Sequence, residues 1–244
     1  MILEVCIDSV ESALAAQEGG AARVELCADL EHGGTTPDAS VIRSVRERIS
    51  IAMHVMIRPR PGDFCYSGLE IDVMEREIEL AKTLRVDGVV FGVLTERGEV
   101  DDRRMRRLLE LARPLSVTFH RAFDESADLR QALDDLKDIG VDRVLTSGGK
   151  GSILGNVDLL GDLVRKSDGR PAIVVGGGVN FENVAEIVNR SNVKEVHTLS
   201  AVLKDDLLIP QSSQLSKSSG KVVDPQKVRK MVRLLGDLSS HSQR

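Results

Sequence analysis

Three residue pairs repeat one spacing in this 244-residue chain: Glu4 and Cys6, Glu25 and Cys27, Glu195 and His197. Each pair lies in a run rich in Val, and one residue separates its members. Both side chains of a pair therefore face the same side of a strand. Carboxylates beside thiols and an imidazole are the groups that hold metal ions or move protons. Two further runs repeat the arrangement. "IAMHVMI" puts His54 and Met56 on one side, with Arg58 just past its end. "LSVTFH" does the same with Thr118 and His120, with Arg121 and Asp124 beyond. Such groups are costly to bury under apolar helices, so they are expected to converge on one polar interior.

The elements that would position them alternate from end to end. Strand-like segments at 2–7, 22–27, 51–57, 86–94, 115–120, 142–147, 172–177 and 193–199 are separated by helix-like segments at 9–19, 38–49, 69–84, 101–112, 127–140, 153–167 and 180–191. Ser9, Asp38 and Asn180 stand where N-caps belong, and Gly19 and Gly140 near helix ends. Eight βα units with short connections make a (β/α)8 (TIM) barrel over residues 1–244 the expected fold. A doubly wound open sheet is the rival, but "CIDSVES" after the first strand lacks the Gly-rich fingerprint of that fold. Residues 202–224 break the rhythm with Ser and Lys and read as an extended or mobile loop. An extra C-terminal helix is expected over 225–238, with Pro225 at its start, and a frayed end after it.

Several residues have two readings. Cys6 and Cys27 end neighbouring strands, where their sulfurs could share one soft ion or be two small buried hydrophobes. Cys65 reads as a surface thiol. "TSGGKG", with Gly148 and Gly149, and "GGGV", with Gly177 and Gly178, could present backbone N–H groups to an anion or merely turn the chain. The stretch "MIRPRPGDFCYSG" fixes Arg58 toward the interior and Arg60 at the rim. With Arg121 they would form a basic lining for a small phosphorylated or carboxylated molecule. On that reading His120 is the general acid or base, assisted by Glu25 or Asp124. The other reading of His120 is a core histidine held by Thr118 or Asp124. The acids could equally pair with Arg58, Arg60 or Arg121 as an internal network.

Composition narrows the classes. Hydrophobic residues are 41% and charged residues 29%, with a net charge of −5, 2% aromatics and no Trp. The core is expected to be Val, Ile, Leu and Ala, as in parallel α/β proteins. No basic patch points to nucleic acid and no stretch suits a membrane span. Three scattered cysteines, and a first strand directly after Met1, fit a reducing, cytoplasmic setting.

The motifs "EVCIDSVESA", "ARVELCADLEHGGTTP", "VMIRPRPGDFCYS", "PLSVTFHRAFD" and "DRVLTSGG" resemble the CutC family over about residues 2–198. The resemblance implies a (β/α)8 barrel and a cytoplasmic homo-oligomer linked to copper tolerance, with Cu(I) held at Cys6 and Cys27. "HTLSAVLKDD", after the last strand, departs from the family pattern. Two functions are expected from these readings: a copper homeostasis protein, or a barrel enzyme acting on a small anionic substrate by acid/base chemistry.

Overall fold

A computed structural model of the protein describes residues 1–204 and 222–241. Eight parallel strands close into a barrel in sequence order, with the first hydrogen-bonded to the last. They are β1 (Ile2–Ile7), β2 (Arg23–Leu26), β3 (Ala52–Met56), β4 (Gly88–Phe91), β5 (Ser116–Phe119), β6 (Arg143–Thr146), β7 (Ala172–Val175) and β8 (Glu195–Thr198). The helices between them are α1 (Val10–Gly19), α2 (Ala39–Arg46), α3 (Gly68–Thr83), α4 (Asp102–Ala112), α5 (Leu129–Ile139), α6 (Val157–Ser167) and α7 (Val184–Ser191). After β8 comes a short 3-10 turn and then α8 (Pro225–His241). This is the expected (β/α)8 architecture with its C-terminal helix.

Strand alternation divides the apolar residues in two. Val5, Val24, Val55, Val89, Val117, Val144 and Val196 pack under the helices in one large core. Inside the barrel a separate small cluster contains Cys6, Cys27, Met56 and Val90. Leu145 and Val174 add further apolar surface on the inward parity of β6 and β7, and much of the remaining interior is polar. Register fixes this placement: Cys6 lies opposite Glu25, Glu25 opposite His54, and Glu4 opposite His197.

Local signals set most helix ends. Ser9 caps α1 by accepting the Ser12 N–H, and Gly140 ends α5 in the left-handed conformation. Ser67 and Glu70 form a capping box at α3, satisfying two donors that the helix leaves orphaned. Asn180 differs from expectation. Its side chain accepts the N–H groups of Glu182 and Asn183, and α7 starts only at Val184. The residue folds a turn ahead of the helix instead of capping it.

Most of the expected 202–224 loop, residues 205–221, lies outside the described residues. Its two ends are joined: Leu203 and Val223 form an antiparallel bridge, with Lys204 N–H to Val222 O at 2.8 Å and Asp224 N–H to Val202 O at 2.7 Å. The chain end expected to fray from residue 239 stays helical to His241. Ser239 Oγ accepts from the Met1 amino group at 3.2 Å and donates to Leu235 O at 3.0 Å. Residues 242–244 lie outside the described residues.

α8 crosses α1 closely at Gly19. A β-carbon there would overlap Val228 Cβ and come within 2.8 Å of Pro225 O. Gly19→Ala is therefore expected to destabilise the protein by about 1–3 kcal/mol through overpacking. A lowered urea midpoint is the expected result; an unchanged one would show that α8 shifts freely.

Candidate functional site

The floor of the barrel is an ion network. The Arg23 guanidinium donates to Glu4 and, at 2.6 Å, to Glu195 Oε2, while Arg143 Nε donates to the same Glu195 oxygen at 3.1 Å. The second Glu4 oxygen lies 2.7 Å from His197 Nδ1. Glu4 is held well below the usual carboxylate range. Arg23, His197 and His54 together outweigh the effect of its burial. His197 is driven well up despite burial, by the charges and hydrogen bonds of Glu25, Cys6 and Glu4. It is thus an imidazolium held by the Glu4 carboxylate, with Nε2 3.9 Å from Glu25 Oε2.

Above this floor sit the two thiols. Cys6 and Cys27 are free, buried and linked by a sulfur–sulfur hydrogen bond of 3.9 Å. Cys27 Sγ is 3.6 Å from Glu25 Oε2. The pairing with Cys27 pulls Cys6 down to about 6 against burial, and His197 adds to the effect. The same pairing, with burial, drives Cys27 well up. Burial raises Glu25 to about 8, and its Oε1 has no partner. Ligand atoms of Cys6, Cys27 and Glu25 lie within 4.8 Å of one another. Two metal–sulfur bonds of about 2.3 Å each reach across the gap between the thiols, so the donor set fits one soft ion.

Over the thiols a cavity of about 420 Å³ opens at the C-terminal ends of the strands. Cys6, Cys27, Glu25 and His197 form its floor, and Arg58, Phe64, His120 and Arg121 part of its wall. The only tyrosine-containing loop, after β3, builds one side. Arg58 Nη1 donates to Gly34 O at 2.8 Å and His32 O at 3.2 Å, Nη2 donates to Gly62 O at 2.8 Å, and the guanidinium lies 5.0 Å from the Phe64 ring centroid. Phe64 in turn packs on His120, with ring centroids 4.8 Å apart.

Some expected participants are engaged elsewhere. Arg60 is outside the cavity wall, held by Glu70 and Asp63 and by the carbonyl of Cys65. Gly149 N–H donates to Asp124 Oδ1 at 3.0 Å and Gly148 N–H to Thr146 Oγ1 at 2.8 Å. The anion that the "TSGG" loop holds is therefore Asp124 itself. That carboxylate also accepts from Thr146 Oγ1, Ser147 and Arg121 Nε, so it has no capacity left to assist His120. Nor is His120 held by Thr118, whose hydroxyl has no partner. His120 Nδ1 accepts the Ala122 N–H at 3.2 Å. Gly177 and Gly178 do line the cavity. Gly177 has φ +87°, and a β-carbon there would lie 2.8 Å from Arg121 Cζ; only glycine lets that cation lie against the β7 loop.

Arg23, Arg143 and Phe64 complete the site but escaped the sequence reading. Arg23 has the same parity as Glu25 and Cys27 and was legible by that rule. Arg143 reaches inward from β6, where attention falls on the glycine loop. Phe64 belongs to a loop, and periodicity says nothing about it.

Two histidines are held neutral. Burial and the nearby Arg58 charge bring His120 down to about 3, and burial brings His54 down to about 4. A base depressed on folding binds fewer protons folded than unfolded. The stability it contributes is present above about pH 6.5 and lost as pH falls toward the folded value. Between pH 5 and 6, His120→Asn is expected to remove about one proton from the uptake on unfolding. The measurement is the slope of unfolding free energy against pH; an unchanged slope would mean that native His120 is already charged.

A family model described as the CutC family matches residues 1–202. A human protein named copper homeostasis protein cutC homolog is 43% identical over 236 residues, covering 93% of this chain and 86% of the relative. The mouse protein of the same name is 42% identical over 97% of this chain and 90% of its own. The solved structure of CutC from Streptococcus agalactiae superposes with a TM-score of 0.77 at 35% identity, over 81% of this chain and 97% of that one. The motifs, the barrel and these likenesses agree: the chain belongs to the CutC family.

Proposed function

We propose that this protein serves copper homeostasis by holding one Cu(I) ion between Cys6 and Cys27, with Glu25 beside them. The observation that carries this reading is the pair of buried thiols 3.9 Å apart on the floor of an open cavity. Thiolates select Cu(I) and Zn(II) over hard cations, and the names of the relatives point to copper. The ion is the cargo. The chain positions the thiols on β1 and just after β2, and His197 favours the Cys6 thiolate. Depth also matters: Cys27 is 1% exposed. Thiols sunk to this level suit sequestration better than rapid exchange with a docking partner.

The setting proposed is the cytoplasm, as a homo-oligomer. Reduced cysteines support a reducing compartment, and no helix among the described residues is long and apolar enough to cross a membrane.

Anaerobic titration with Cu(I) against a chromophoric chelator is expected to give one ion per chain. Cys6→Ser or Cys27→Ser should weaken binding by about a hundredfold or more, about 2.7 kcal/mol. Binding that survives both changes sinks the proposal. Copper should also raise the unfolding free energy, by about 4 kcal/mol at a thousand times Kd, and this gain should vanish in either serine variant. Sedimentation equilibrium tests the oligomer; a monomer at micromolar concentration would refute that part.

A further inference from the structure

The copper site uses the floor of the cavity and leaves its wall unexplained. Arg58 is 5% exposed. Among the described residues no carboxylate pairs with it. Its N–H groups meet the carbonyls of His32, Gly34 and Gly62. Tyr66 feels the Arg58 charge but stays neutral, since burial drives it up to about 12. A buried cation met only by neutral groups is costly. Every other arginine bordering the cavity or its floor has an acid: Arg121 has Asp124, Arg23 has Glu4 and Glu195, Arg143 has Glu195.

A second buried group beside Arg58 also lacks a partner. His120 is 3% exposed and neutral, and its Nδ1 accepts from Ala122. The proton must therefore be on Nε2. That N–H has no acceptor, although the ring bounds the cavity. Phe64, close to both Arg58 and His120, and Met56, Leu145 and Leu199 supply apolar wall. The wall thus offers a cation, a neutral donor and carbon. About 420 Å³ is room for a small organic molecule.

We propose that this cavity binds a small organic molecule through a carboxylate or phosphate oxyanion, which compensates Arg58 and accepts from His120 Nε2–H. The ligand sits above the thiols, so its occupancy covers their route to solvent. The site does not depend on the copper reading: its residues are not the thiols.

The test is isothermal calorimetry on copper-free, reduced, full-length protein at fixed ionic strength. The probes are benzoate, phenyl phosphate and benzyl alcohol, which share a ring and differ in the head. At least one anion is expected to bind one to one, at least about tenfold tighter than the alcohol, and the stronger of the two identifies the head. Arg58→Met and His120→Asn should each weaken that anion by about tenfold or more, with little effect on the alcohol. If Arg58→Met fails to fold, the His120 Nε2–H resonance in the unaltered protein decides, and it should move on addition of the anion. Absence of anion binding, equal binding of the alcohol, or anion affinity unchanged in the folded variants would overturn the proposal. Because no copper is present, such a failure leaves the thiol site standing, and a failed Cu(I) titration leaves this one standing.

Discussion

The interior depends on the carboxylate of Glu4. It joins Arg23 of β2 to His197 of β8 across β1, and through Arg23 it reaches Glu195 and Arg143. Burying this many charges brings no assured stability. Breaking such a network, though, leaves an uncompensated charge and is strongly destabilising. What the network supplies is position and charge state. His197 stays protonated because Glu4 and Glu25 flank it, and the cationic ring beside Cys6 favours a thiolate there. An apolar residue in place of Glu4 would leave Arg23 short of a partner and release His197 from its orientation. The charge state of the Cys6 thiol is thus tied to the ion network beneath it.

The two levels of the cavity have different chemistry. The floor offers sulfur and a carboxyl in a compact group; the β3 side offers a guanidinium, a neutral imidazole and an aromatic ring. The loop after β3 makes the second level. Arg60 braces that loop from outside through Glu70, the residue that also closes the capping box of α3. Arg58 ties the same loop to the one after β2 through carbonyls. The two arginines of "RPRP" are therefore divided: one is a brace and one faces the cavity.

Strand parity made most of this legible. Where a residue type was wrong for a helix-covered face, as with Glu4, Glu25, Glu195 and His54, inward placement followed from desolvation alone. The fold followed from eight repetitions of a Val- or Ile-rich run and a helix. Pairing was not legible. The internal-network reading offered Glu4 the partners Arg58, Arg60 or Arg121, but barrel closure brings it Arg23 and His197 from either side. Loop chemistry was equally hidden, because Asp124 and "TSGG" satisfy each other over 22 to 25 residues of separation. Local spacing cannot reveal a partner that only the closed sheet supplies.

The bridge between Leu203 and Val223 has a consequence for how this chain can vary. The two segments are clamped by backbone hydrogen bonds at their point of departure, and Val223 also donates to Ser12 Oγ of α1 at 3.3 Å. Whatever joins residue 204 to residue 222 leaves and returns through a fixed gate. Closing a longer excursion adds only about 0.6 kcal/mol per doubling of length. Sequence can be gained or lost there without disturbing the docking of α8, which makes this junction a natural place to graft new segments onto the barrel.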